Sequence, residues 1–283
     1  MLLTLLPGLA ALILLGGGVA FGYRRWIRPQ ADDLDFQEQS LLLLIILTMT
    51  GGFIGSFFWW FDLAQSFSWD LPPLASRMLA AAGWSFAVAC YSVLQRPDSR
   101  RVRIVLLMLF VYLFPLVIAI LRSHLNRFDF SAPITYVFFA IVVSMTLATP
   151  WYLLRQPTLI FEQPSDRAHA RPAVEAWLRA LAVLMAVWGG ALFFTDNGLY
   201  DWMWVWPGDL LTSRLIAVML LTIAIGAGTA LGNANASRLM LAVTLTYGLG
   251  VAAANLWSVI GGKEVKLAYV IVFGLMAVGS AVM

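Results

Sequence analysis

The sequence predicts an all-α, polytopic membrane protein of about nine transmembrane helices, in which a four-helix unit occurs twice in parallel orientation. Three observations predict it. Of the 283 residues 61% are hydrophobic and 12% charged, whereas a soluble domain is about 45–50% apolar and about 25% charged. Apolar runs of membrane-spanning length recur along the chain, and a tryptophan-to-arginine segment recurs 137 positions after its first occurrence. The composition excludes a soluble globular enzyme. The 18 basic and 15 acidic residues leave a net charge of +3, which fits neither a polybasic nucleic-acid binder nor an acidic tail, so no nucleic-acid partner is expected. Cys90 is the only cysteine, which leaves no disulfide framework, iron–sulfur cluster or CxxC site.

A bilayer core of roughly 30 Å takes about 20 mainly apolar residues per helix. Residues 1–23 form the first such run. Arg24 and Arg25 follow it directly, the reverse of a secretory signal's charge order, so the run reads as a retained helix. In the segment after it, Pro29 and Asp32-Asp33 read as the capped start of a short interfacial helix. The next runs are 40–61, 73–94, 104–121 and 134–154; Pro115 and Pro150 fall within or near the end of the last two and predict kinks. A polar, proline-punctuated stretch then leads to 174–194, 210–231, 239–257 and 266–283, the last being the shortest. The organisation expected is residues 1–39 as first helix and connector, 40–155 as the first four-helix unit, 156–173 as linker, and 174–283 as the second unit.

All fifteen carboxylates lie in loops or at the ends of these runs. An ionisable group at mid-membrane costs several kcal/mol and marks function, so their placement weakens a proton-pump or carboxylate-coupled transporter reading. Basic residues are uneven between alternate loops. Arg24, Arg25, Arg28, the 96–103 cluster, Arg155, Arg167, Arg171 and Arg238 fall on one side; Arg122, Arg127, Lys263 and Lys266, with Arg77 and Arg214 just inside their helices, fall on the other. Basic loops stay cytoplasmic, which places the N-terminus outside and the C-terminus in the cytoplasm, with a bacterial plasma membrane as the expected location.

The repeat aligns Trp69 through Arg77 on Trp206 through Arg214 without a gap, matching tryptophan, leucine, serine and arginine. At the same offset Arg101 falls on Arg238, and one residue away from it Gly51-Gly52 falls on Gly189-Gly190. An even number of spans per unit keeps both copies in one orientation, related by an axis along the membrane normal.

These two segments are the first candidate site. In each, an aromatic-rich outer loop leads through proline into a helix carrying arginine about one turn in. Near the positive end of its helix, Arg77 or Arg214 could hold a phosphate, carboxylate or lipid headgroup, with Trp69 or Trp206 covering its face. The plainer alternative is an aromatic belt with a snorkelling arginine bonded to Asp70 or Asp209. Asn255 is the most polar residue near the interior of any span; it faces a substrate or, more commonly in such helices, hydrogen-bonds across a helix interface. Gly18-x3-Gly22, Gly51-x3-Gly55 and Gly228-x3-Gly232 suit close internal helix packing. His124 and His169, the only histidines, fall in loops on opposite sides, which leaves no bis-histidine haem and no multi-histidine intramembrane metal site. No HExxH, GxSxG or GxxxxGK[ST] string occurs. Asp32-Asp33 invites comparison with the paired acids of lipid-linked glycosyltransferases, but the arginines beside it put the pair on the cytoplasmic side.

The sequence thus nominates no catalytic group, no metal ligand and no cofactor. The function expected is a non-catalytic subunit or scaffold of a larger membrane assembly, its aromatic outer face binding lipid, pigment or partner. Its partners are membrane lipids and either another membrane protein or a second copy. The alternative is a transporter or channel for an anionic or lipid-like substrate, with a pathway between the two units lined by both arginines.

Overall fold

The computed structural model describes residues 2–63, 69, 71–155, 168–195 and 209–283, with side chains from residue 10 onward. Among the described residues there are nine long α-helices and no strand: α1 (Leu2–Gly22), α2 (Phe36–Trp60), α3 (Pro73–Gln95), α4 (Ser99–Ser123), α5 (Pro133–Arg155), α6 (Pro172–Phe194), α7 (Leu210–Ala230), α8 (Ala234–Ile260) and α9 (Leu267–Val282). The helices α2 to α8 are long and apolar enough to cross a membrane, and α9 is a shorter apolar helix of 16 residues. The chain is a polytopic helical membrane protein.

Polar caps fix where the helices begin. Asp35 accepts from the Glu38 backbone N–H at 2.7 Å while Glu38 accepts from that of Asp35 at 2.9 Å, a capping box that starts α2. Asp98, Asp209 and Asn233 cap α4, α7 and α8 by accepting from the backbone N–H three residues on. Proline opens α3, α5 and α6, where its missing N–H costs nothing. The expected cap at Asp32-Asp33 is corrected. The chain leaves α1 through a π-helical turn (Tyr23–Ile27) and a 3-10 turn (Arg28–Gln30), and the capping acid is Asp35. Helix α2 therefore starts ahead of its apolar run, because the first turn needs capping groups rather than hydropathy. Both α4 and α5 continue past their internal prolines.

Sequence neighbours pair as α2 with α3, α4 with α5, α6 with α7 and α8 with α9; α3 packs on α8 and α4 on α7 across the molecule, and α1 lies on α2. Leaving α1 aside, exchanging α2–α5 with α6–α9 leaves this set of pairings unchanged. The interior belongs to α3 and α7, each 72% buried over its membrane-length window, while α5 at 17% lies outside. Glycine sets the closest approaches. A Cβ on Gly52 would stand 2.8 Å from the Gly83 carbonyl oxygen, and one on Gly250 2.5 Å from Ala81 Cβ. The corresponding close contact of α6 on α7 is at Gly189, 137 positions after Gly52. Gly18 and Gly22 meet Thr50 and Ile46 of α2, so that pair packs internally, whereas Gly51 and Gly228 face open space. Buried hydroxyls such as those of Ser85, Thr222 and Thr244 donate to the carbonyl four residues earlier in their own helices, which satisfies them without water.

Two ends result. The last turns of α2, α4, α6 and α8 and the first turns of α3, α5, α7 and α9 lie at one, here the aromatic end. The opposite helix ends form the basic end, where Arg100 donates to the Leu231 carbonyl at 2.8 Å and Ser40 bonds Tyr152 at 2.8 Å.

Candidate functional site at the aromatic end

Arg77 sits one turn into α3, and its guanidinium lies 5.6 Å from the centroid of the Trp257 ring near the end of α8. Its buried Nε has no hydrogen-bond partner among the described residues. Trp257 continues into an aromatic cluster: it meets Trp60 edge-on at 6.3 Å, Trp60 meets Trp84 at 5.3 Å, and Trp84 meets Phe57 at 5.5 Å. Neighbouring Ser76 donates to the Trp59 carbonyl and ties α3 to the last turn of α2.

Arg214 holds the matching place on α7 with different neighbours. Its guanidinium lies 5.6 Å from the Phe193 ring centroid, Nε donates to the Phe193 carbonyl at 3.2 Å, and Nη1 donates to His124 Nε2 at 2.9 Å. Because arginine only donates, His124 accepts through Nε2 and carries its proton on Nδ1. His124 is the residue that ends α4 and is 9% exposed. Arg127 approaches Asp209 at 3.6 Å, and Asp209 also accepts from the Thr212 hydroxyl at 2.6 Å. Asp209 thus caps α7 and faces Arg127, so it is not the partner expected for Arg214. Among the described residues neither Arg77 nor Arg214 has a carboxylate within ion-pair distance.

Trp69 does not cover Arg77, whose ring neighbour is Trp257. Trp69 is 9% exposed and packs inward, tilted against Phe128 at 5.0 Å and edge-on to Phe138 at 5.5 Å, in an apolar cluster with Leu71, Leu116 and Leu211. Trp206 and Asp70 lie outside the described residues. Asn255 is 1% exposed and donates to the Val251 carbonyl at 2.8 Å in its own helix. The hydrogen bond expected across a helix interface is corrected: the amide donates instead to the carbonyl four residues back, an acceptor always within reach in a helix. The structure brings together Arg214, His124, Arg127 and Asp209, places Arg77 with Trp257, and puts Asp32 and Asp33 at the opposite end. Sequence reading missed His124 because its partner is 90 residues away; only its position at the end of a span hinted at a surface role.

Among the described residues the two halves meet closely at two points. The α3–α8 contact runs through Ala81 and Gly250, and in the α4–α7 contact the Thr222 hydroxyl reaches the Met108 carbonyl at 3.4 Å. Arg77 and Arg214 rest on different rings, those of Trp257 and Phe193. Among the described residues no group of three or more His, Cys, Asp or Glu lies close enough to hold a metal ion.

Burial, then the Arg214 and Arg127 charges, hold the His124 imidazole below its ordinary range against the opposing pull of Asp209. The folded state thus takes up a proton less readily than the unfolded chain. The neutral histidine's contribution is present above the ordinary imidazole value and is lost as pH falls through the lowered one. Thermal unfolding followed from about pH 8 to about pH 5 should show the midpoint falling, with a visibly flatter profile for His124→Gln. Identical profiles would contradict the assignment.

No family model, curated protein or solved structure compared with the chain matches it. Fold and site together define a multi-pass helical integral membrane protein whose aromatic end presents two arginines set against aromatic rings.

Proposed function

We propose that the protein is a non-catalytic integral membrane subunit or scaffold of a larger membrane assembly, and that its aromatic end is the face that binds lipid or a partner protein. The observation that carries this reading is the pair Arg77 and Arg214. Each guanidinium rests on an aromatic ring at the same end of the bundle, with no carboxylate beside it among the described residues. A guanidinium held this way keeps donors in a fork that suits phosphate or carboxylate. The charge bias of the loops supports placing this end outside, with the C-terminus in the cytoplasm. The exchange-invariant helix pairing supports a duplicated four-helix unit as the origin of the two arginines. The close α3–α8 and α4–α7 contacts support a binding face over a pathway between the halves.

Gentle extraction from native membranes into a non-denaturing detergent, followed by mass measurement, tests the proposal. The expected result is a particle heavier than the monomer with a co-purifying protein in fixed ratio, dissociated by changing Arg77 and Arg214 together to Gln. A bare monomer with no companion would remove the assembly reading.

A further inference from the structure

The two arginines are not equivalent, and the difference assigns a ligand. Arg77 has an aromatic neighbour and no second cation described beside it. Arg214 stands in a cluster: it contacts His124, the residue that follows the last turn of α4 where Arg122 lies, and Arg127 lies just beyond, facing Asp209. Asp209 is occupied by its cap bond to Thr212 and by Arg127. Arg214 and Arg122 therefore carry positive charge that no described carboxylate offsets. Like charges brought together at the edge of a low-dielectric bundle repel, and an anion between them removes the repulsion and satisfies open guanidinium donors. The neutral His124, accepting from Nη1, adds no charge and fixes one edge of the guanidinium, while Phe193 fixes the other through its carbonyl.

We propose that the α4–α7 end of the bundle is a binding site for a phosphate-class oxyanion, with Arg214 as the principal donor, Arg122 and Arg127 at its rim, and His124 as the positioning residue. This rests on the reading of the aromatic end as a binding face and narrows it to one ligand chemistry at one of the two arginines. The phosphate belongs either to an anionic lipid headgroup or to a soluble phosphate, and the position beside a membrane-facing aromatic surface allows both sources.

The test uses the full chain in nanodiscs of phosphatidylcholine. One arm adds inorganic phosphate and reads the thermal midpoint; the other replaces part of the lipid with phosphatidylglycerol and counts retained lipids by native mass spectrometry. Losing a charged donor costs about 1.5–3 kcal/mol, so Arg214→Gln should weaken whichever probe binds by roughly ten- to a hundredfold. Arg214→Lys should weaken it less, and Arg103→Gln at the basic end should change nothing. A response to phosphatidylglycerol alone identifies a headgroup site, and a response to both identifies a soluble-phosphate site. Equal binding by the wild type and a folded Arg214→Gln, or no binding of either probe by the wild type, overturns the inference. A heavier native particle together with equal binding removes this inference alone; a lone monomer with Arg214-dependent binding removes the assembly reading alone.

Discussion

Replacing Asp98 by alanine should destabilise the protein by about 3–5 kcal/mol, the cost of stranding a buried cation. Asp98 is 4% exposed and Arg101 8% exposed; their side chains meet at 3.1 Å. The same carboxylate accepts from the Arg101 backbone N–H at 2.8 Å and so caps α4. Arg101 also reaches the Ser92 carbonyl at 3.3 Å, which ties α4 to α3 across the short turn between them. Alanine removes cap and counter-charge together. Asp98→Asn keeps a cap and loses only the charge, so its effect should be smaller, and Asp98→Ala combined with Arg101→Met should recover much of the loss. Cys90 provides the measurement. It is the only cysteine and is fully buried, so its reaction with a thiol-reactive fluorophore on heating reports unfolding. A loss of under about 0.5 kcal/mol for Asp98→Ala would put it in the range of an ordinary surface substitution and show that the pair does not act as a buried one.

Replacing Gly83 by leucine should open the α2–α3 seam. A Cβ there would collide with the Ser56 hydroxyl and stand 2.9 Å from the Gly52 carbonyl oxygen. A backbone oxygen cannot swing away as a side chain can. Overpacked cores lose about 1–3 kcal/mol and sometimes more, and here the strain falls on the closely packed α2–α3 hairpin. Gly51→Ala and Gly190→Ala are the controls. Both positions face open space, and alanine is the better helix former by about 1 kcal/mol, so these changes should be neutral or stabilising in the same thiol assay. If Gly83→Leu unfolds no earlier than the wild type, the close α2–α3 approach is wrong.

Much of the fold was legible because one physical requirement, burial of helical backbone in an apolar medium, writes itself into the sequence as long runs. All nine runs coincide with helices to within a few residues at most ends. Where they differ, as at α2, α4 and α8, the helix begins earlier at Asp35, Asp98 or Asn233, since capping is done by polar residues that a hydropathy run leaves out. The site was legible only in part. The sequence placed Arg77 and Arg214 just inside their helices, which holds, but it gave them the tryptophans of their own segments as cover. Trp69 instead turns into the core, and the ring beside Arg77 comes from Trp257, 180 residues along the chain. Contacts between helices distant in sequence depend on which faces meet, and hydropathy is silent on that. His124 illustrates the same limit: nothing in its neighbourhood in the sequence pointed to α7. Asn255 was legible as buried but not as satisfied within its own helix.

The most direct test of a binding role for the aromatic end is an electron cryomicroscopy map of the protein in nanodiscs formed with its own membrane lipids. The expected map shows density from a lipid headgroup or a neighbouring polypeptide against the guanidinium groups of Arg77 and Arg214, and beside the Trp257 and Phe193 rings that flank them. A well-resolved map in which both arginines face bulk solvent, with nothing against either, would contradict it.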